Sequence, residues 1–392
     1  MKRFYFIIVM WLATFFSSGE LAGRQVASVA VPNVYVDSIE TAKRVLFLTY
    51  SEQYNEALAL VERMADENPS SIQWKYFHAI ILWRKLRVQS WATGYHDEVL
   101  VNRIGNELLT LKKLIDEVPD SLRAKPYYLF YAGAIYGYLG MYYAGIREEN
   151  LKAIKVGGDG LNYYKKILQI DTTCYDAYYS FGVYHFYASD APWYIKPLLW
   201  VFGVSGSEEK ADTYLTLAAK KSTLAKYEAM EMLAELYVRR RLIDSAVIVY
   251  RKLIQKFPSA YYYYLNLGWV YKKFQRIDEM ANVYQEGVNY SRKTETIEGD
   301  KECLSNIYLL LGSYYSRVNR VRKAITLYQD GLARNLGHFD WWCYRIALCY
   351  EKLGDKTQAI YYYKLIRGGE LTTEEIQRVQ SRLNELAKDS QQ

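Results

Sequence analysis

Along most of this chain the bulky apolar side chains recur three and four residues apart, the spacing of one buried stripe on an α-helix. Four stretches repeat that stripe in the same detail: YEAMEMLAELYVRRRLIDSAVIVYRKLIQKFP from Tyr227, YYYYLNLGWVYKKFQRIDEMANVYQEGVNYS from Tyr261, SNIYLLLGSYYSRVNRVRKAITLYQDGLARN from Ser305 and DWWCYRIALCYEKLGDKTQAIYYYKLIRGG from Asp340. In each, a bulky residue precedes a Leu/Ile–Gly/Ala pair and then a Tyr. A small or medium residue follows nine places later, and a second Tyr four after that. The positions are Met230, Leu233, Ala234, Tyr237, Ala246 and Tyr250 in the first, and Tyr264, Leu267, Gly268, Tyr271, Met280 and Tyr284 in the second. They are Tyr308, Leu311, Gly312, Tyr315, Ala324 and Tyr328 in the third, and Cys343, Ile346, Ala347, Tyr350, Ala359 and Tyr363 in the fourth. A small residue on each helix lets the two helices of a hairpin approach closely, and the aromatic beside it fills the gap to the next hairpin.

The first two stretches abut, Tyr227 to Tyr261, a period of 34 residues. That period, the small residues at the eighth and twentieth places and Pro258 at the close resemble the tetratricopeptide repeat (TPR). The resemblance implies an all-α, right-handed superhelix (solenoid) of helical hairpins. Upstream the pattern is looser: YDAYYSFGVYHFY places Tyr178, Phe181, Gly182 and His185 in register, after a helix GLNYYKKILQID. EQYNEALALVERMADENP contributes Ala57, Val61, Met64 and Pro69, and the apolar spacing predicts helices over 72–88, 96–117 and 124–142. At the C-terminal end, Thr372 with Glu375 forms a capping box ahead of an Ile376, Val379, Leu383 and Leu386 stripe, the capping helix such an array requires. The chain therefore divides into degenerate helices over 38–170, a hairpin with an apolar insert over 171–226, regular repeats over 227–373, and a capping helix and tail over 374–392. The segments LNYYKKILQID, YDAYYSFGVYHFYAS and PWYIKPLLW also resemble a recurring type of bacterial TPR protein, and more distantly the eukaryotic inclusion-body-clearance proteins. That likeness implies architecture, not activity.

The insert, 189–207, departs from the pattern. From Pro192 to Val204 it carries one charge, and it holds Trp193, Tyr194, Ile195, Leu198, Leu199, Trp200 and Phe202. Leaving seven such side chains in water would forgo on the order of 10 kcal/mol. Self-burial against the array, a docking partner protein and a membrane interface are the three covers open to it. Ser205 with Glu208 is expected to cap the helix that follows.

Composition adds an address. Residues 1–19, MKRFYFIIVMWLATFFSSG, have a basic start at Lys2 and Arg3, an apolar run from Phe4 to Phe16, and small residues at 17–19, the anatomy of a secretory signal. Cleavage after Gly19 and a periplasmic or exported mature chain are expected, with residues 20–37 as a linker; an uncleaved anchor is the rival reading. The net charge of +7 includes the signal's two cations and is spread too evenly to argue for nucleic acid. The RRR run at 239–241 falls at an expected turn and reads as a solvated loop. Cys343 and Cys349 share one helix and cannot bond each other, and Cys174 and Cys303 have no evident partner, so buried free thiols are expected.

Catalytic chemistry is scarce. The four histidines, His78, His96, His185 and His338, lack metal-ligand spacing, so no metal or cofactor is expected. His185 takes an inward aromatic place, as a core residue. VGGDG at 156–160 lacks the GK[ST] ending of a phosphate loop and reads as a hairpin turn. No nucleophile motif occurs, and an enzyme is not expected.

In the family resembled here, ligands lie on the concave face built by the first helix of each hairpin, at its second, fifth, ninth and twelfth places. Those places hold Asp176 and Tyr179, then Glu228, Glu231 and Glu235, then Tyr262, Trp269 and Lys272, then Asn306, and last Trp341 and Tyr344. The three glutamates share one helical face, and the aromatics suit an extended peptide. The Lys/Asn/Arg carboxylate clamp of chaperone-binding members is missing. The expected partner is a protein or extended peptide with a basic residue near the glutamates; a solvated acidic face is the alternative. A membrane contact would fall on Trp193, Tyr194, Leu198, Trp200 and Phe202.

Overall fold

Apolar side chains of the described residues are buried in helix after helix along the chain. The computed structural model describes residues 38–190, 206–294 and 299–389. The signal-like segment and the apolar insert, with Trp193, Tyr194, Leu198, Trp200 and Phe202, lie outside them. Within them the chain is all-α, 18 helices in TPR-like hairpins. Two compact units divide it: one runs to Ser90 and from Gly94 to Leu253, the other takes Trp91–Thr93 and Ile254 onward.

The first unit opens with the hairpin α1 (Ile39–Tyr50) and α2 (Tyr54–Glu67), followed by α3 (Ile72–Thr93) and α4 (Glu98–Asp116). A single turn, α5 (Asp120–Arg123), leads into α6 (Pro126–Gly145) and α7 (Asn150–Ile170). Then come α8 (Tyr175–Ser189), α9 (Glu208–Lys221), α10 (Lys226–Arg239) and α11 (Ile243–Lys256), the last crossing the unit boundary. The helices α3 and α6 have no polar side. Buried residues such as Trp74, Phe77, Ile81, Tyr131, Ile135 and Leu139 surround their axes, as expected of helices enclosed by others.

The second unit stacks the hairpins α12 (Tyr261–Lys273)/α13 (Ile277–Ser291), α14 (Lys301–Arg317)/α15 (Val321–Ala333) and α16 (Phe339–Leu353)/α17 (Lys356–Leu365), closed by α18 (Thr373–Asp389). Each helix packs on the next along the chain, and the first helices α12 and α14 also meet each other.

What sets the hairpin geometry is the small residue of the first helix. A Cβ on Gly268 would sit 2.0 Å from the Tyr284 ring, and one on Gly312 would sit 2.3 Å from Tyr328. The two tyrosines are fully buried. The ring therefore occupies the space a side chain would need, and a glycine on the facing helix is the only residue that leaves it. Ala347 and Tyr363 belong to one core cluster in the last hairpin. The same pairing extends upstream, where Gly133 faces Tyr164 and Gly182 faces Leu215.

The turns are equally repetitive. The carbonyls of Tyr237, Tyr271 and Tyr315 each accept from the N–H five residues on, at Leu242, Arg276 and Arg320, all at 2.8 Å; Tyr350 accepts from Asp355 at 3.0 Å. One residue inside each turn is left-handed: Arg241 (φ 61°), Gln275 (62°), Asn319 (61°) and Gly354 (78°). This bond and this conformation are those of a Schellman stop. The α1–α2 turn repeats it, with Gln53 donating to Leu48 and Glu52 at φ 65°.

Three local expectations change. VGGDG is not a turn: residues 156–160 lie inside α7. A Cβ on Gly160 would come within 3.0 Å of the Gly133 carbonyl and the Gly137 nitrogen, so the glycine serves a close approach of α7 to α6. The helix after the insert is capped by Ser207, whose Oγ accepts from the Lys210 N–H at 3.1 Å; Ser205 is outside the described residues. The RRR run changes only in part: Arg240 and Arg241 are exposed in the turn as expected, Arg240 pairing with Asp212 at 2.7 Å, but Arg239 is half-buried, covering the Phe186 ring at 4.1 Å and pairing with Glu208 at 3.0 Å. The Thr372–Glu375 capping box forms, and the α18 stripe packs on Ala347 and Tyr363. All four cysteines are buried and free.

Gly268→Ala and Gly312→Ala should each cost about 1–3 kcal/mol through overpacking. Gln275→Gly, which relieves a left-handed side chain, should add about 0.5–1 kcal/mol. Urea unfolding followed by far-UV circular dichroism would give all three; a neutral Gly268→Ala would break the argument for the ring-in-slot contact.

Candidate functional site

The inner places of α8 and α10 do not face an open trough in the first unit. They face α1, α3 and α6 of the same chain. Glu231 is 1% exposed. Its carboxylate takes Arg84 of α3 at 2.7 Å, and Arg87, one turn on, as a second partner. Arg84 is itself buried and lies over the Tyr50 ring of α1 at 5.0 Å. Glu228, one turn before Glu231, accepts a hydrogen bond from the Tyr138 hydroxyl of α6. Burial pushes the Glu228 carboxyl above its ordinary range, against the opposing pull of Tyr138 and Arg87. Glu235, at the end of the row, is the one of the three that is exposed.

Asp176 and Tyr179 are also committed inside the unit. The Asp176 carboxylate accepts from the N–H groups of Leu224 and Ala225 at 2.7 Å and of Thr223 at 3.2 Å, tying the start of α8 to the loop that opens α10. Burial raises its pKa while those three N–H groups hold it down. Tyr179, with Tyr50, Tyr76, Tyr138, Tyr164 and Glu228, lines a cavity of about 50 Å³ between these helices, large enough for ordered water. Burial lifts the hydroxyl pKa of Tyr76, Tyr138, Tyr164 and Tyr179 well above the usual tyrosine value, so none of them ionises at neutral pH.

The cation expected from a partner is thus supplied by the chain itself. Arg84, Arg87 and Tyr138 were not among the residues singled out from the sequence. The available signal was in α3, where Arg84 sits among residues spaced for burial on several sides, and a buried arginine needs a carboxylate opposite it.

In the second unit the inner places are treated differently. Tyr262 is buried. Trp269 is half-buried, with Trp91 edge-on at 5.9 Å and the Lys273 ammonium over its ring at 5.0 Å, while Lys272 is exposed. The Asn306 amide donates to the Ala92 and Glu302 carbonyls at 2.8 and 3.1 Å. Further along, Leu309, Ser313 and Ser316 of α14 and Trp341, Tyr344 and Leu348 of α16 are all half-exposed. Trp341 and Tyr344 stand edge to face at 6.2 Å with the Arg345 guanidinium over Trp341 at 5.4 Å, their inner edges against the α16–α18 core. Below them, Asp340 repeats the Asp176 device: its carboxylate accepts from the N–H groups of Arg367 and Gly368 at 2.8 Å.

Among the described residues, no group of three His, Cys, Asp or Glu side chains is placed to hold a metal ion. His185 is stacked on Tyr214 at 5.7 Å, and His78 and His338 pair with Glu107 and Glu302 at 2.8 and 2.7 Å. No helix among the described residues is long and apolar enough to cross a membrane.

Comparison with known families agrees with this repeat geometry. Tetratricopeptide-repeat family profiles match residues 228–260, 261–294 and 309–370. Over these residues the chain carries tetratricopeptide repeats. Among solved structures it is similar to the Cut9–Hcn1 hetero-tetramer of the APC/C, at 16% identity and a TM-score of 0.41, over 90% of this chain and 57% of that one. It is similar to yeast Tom70 at 13% identity and 0.37, over 90% and 91% of the two chains. YrrB, described as a TPR protein with an unusual peptide-binding site, aligns with 51% of this chain and 89% of its own at 12% identity and 0.32. This chain spans less than two thirds of the Cut9 chain's length. No curated protein matches the sequence.

Two measurements test the buried network. Glu231→Leu, which strands Arg84, should cost about 3–5 kcal/mol, whereas Arg84→Met with Glu231→Met together should cost far less. For Glu228, a folded pKa raised above the unfolded value means its favourable contribution is full below the usual glutamate range and is lost as pH rises through the raised value. Glu228→Gln should therefore gain on the wild type as pH rises from the usual glutamate range through the raised value in urea titrations; parallel curves would show that the burial does not matter.

Proposed function

We propose that this protein is a non-catalytic, exported TPR scaffold that takes an extended polypeptide on the inner side of α14 and α16. The observation that carries the reading is the contrast between its own inner places. Those of the first unit are consumed by Arg84, Arg87 and Tyr138, whereas Leu309, Ser313, Ser316, Trp341, Tyr344 and Leu348 remain half-exposed. Flat aromatics with polar edges, small hydroxyls and one aliphatic patch suit a peptide backbone carrying apolar or aromatic side chains. With the Glu228–Glu231 row already neutralised, a basic anchor residue is not what this ligand needs. Export is supported by the basic and apolar character of residues 1–19.

A photo-crosslinking amino acid at Ser313 should give a discrete adduct with a polypeptide in cells, and the same residue at Thr326, exposed on α15, should not. Equal labelling at the two positions, or none at Ser313, would defeat the inner-face reading. The amino terminus of the purified protein should begin at Glu20, and a chain retaining Met1 would defeat the cleavage part alone.

A further inference from the structure

The turn joining α14 to α15 and the helix ends beside it carry Arg317, Arg320, Arg322 and Lys323, all exposed. Among the described residues none of the four pairs with a carboxylate; Lys323 instead lies 5.9 Å from the Tyr315 ring. Between them the aliphatic tip of Val318 is 45% exposed. The neighbouring turns repeat the combination. Ile277 is 37% exposed beside Lys272 and Lys273, and Leu353 is 44% exposed beside Lys352. Hydrogen bonds hold the three turns side by side: the Tyr314 hydroxyl donates to Asp278 at 2.6 Å, and the Lys352 ammonium donates to the Ser316 carbonyl at 2.6 Å. The carboxylates on this edge are occupied, Glu279 by Arg276, Glu351 by Arg382 and Tyr363, and Asp355 by the Gln358 N–H.

We propose that this edge of the second unit, a row of aliphatic tips set among unpaired cations, docks on an anionic lipid surface. The tips project from turns instead of lining a groove, so they offer no pocket to a folded partner. A bilayer interface accepts such side chains without shape complementarity, while the arginines and lysines meet headgroup phosphates. The proposal is independent of the inner-face peptide reading, since it uses the turns and not the helix faces.

The test is flotation of the full chain with phosphatidylglycerol-containing vesicles and with pure phosphatidylcholine vesicles. The protein should favour the anionic vesicles, less so as salt is raised. Each cation near such a surface contributes roughly a fivefold factor, so Arg320→Glu/Arg322→Glu/Lys323→Glu should cut the anionic preference by more than about tenfold. Val318→Asp with Leu353→Asp should weaken retention several-fold with every cation in place. All five sites are exposed, and unchanged circular dichroism would verify the fold. Equal retention on the two vesicle types, an unaffected triple variant, or capture by polyglutamate in preference to anionic vesicles would overturn the assignment.

Discussion

A tyrosine ring standing where the facing helix has no side chain is the contact on which this structure depends. At Gly268 and Gly312 the fit leaves no room for even a methyl group, so the separation of the two helices in a hairpin is dictated by one residue pair. In the regular repeats, helices held that close are joined by a short turn. The left-handed residue and the five-residue N–H to carbonyl bond make that turn. Three of the four turns in the regular repeats place a side chain at the left-handed position, where glycine would be cheaper. The packing therefore imposes the turn on the local sequence, and the reverse does not hold.

Stacking such hairpins creates an inner side, and the two units use it for different ends. In the first unit it becomes core. The helix α6 carries no charged residue and α3 buries apolar side chains on several sides, so both need enclosure, to which the inner places of α8 and α10 contribute. Once those places are buried, the glutamates at 228 and 231 need countercharge and hydrogen bonds, and Arg84, Arg87 and Tyr138 provide them. A pair as deeply enclosed as Arg84 and Glu231 adds little net stability over apolar residues of the same shape, but it severely penalises any packing in which one partner is left alone. In the second unit no polar-free helix has to be enclosed, and the side chains of α14 and α16 keep part of their surface.

The repeats were legible because their signal is local: Gly268 and Tyr284 are sixteen residues apart, and a period of 34 repeats the pair. The capping helix was legible for the same reason, through Thr372, Glu375 and an apolar stripe within fifteen residues. The contents of the first unit's inner side were not legible, since Glu231 meets residues 147 and 144 positions earlier in the chain. Family-typical ligand places at Glu228 and Glu231 suggested a partner's basic residue, or solvent, opposite them, where the chain's own Arg84, Arg87 and Tyr138 lie. The glycines at 157, 158 and 160 misled in the opposite direction. Three glycines in five residues resemble a turn locally, yet the contact of Gly160 with the α6 backbone holds them in a helix.

The surfaces left for recognition follow from the same geometry. Positions that set the hairpin distance hold only glycine or alanine in the four regular repeats, and positions on the first unit's inner side are needed for enclosure. What packing leaves unconstrained in the second unit is the exposed half of its first helices and the outer side of its turns. These two surfaces carry different chemistry. The helix faces hold flat rings and hydroxyls in a rigid frame, suited to discriminate one side chain from another. The turns hold Arg317, Arg320, Arg322 and Lys323 on flexible stems, which respond to charge density with little regard for shape. A scaffold built this way can hold a specific ligand on one side while a second, less selective attachment sets where in its compartment it does so.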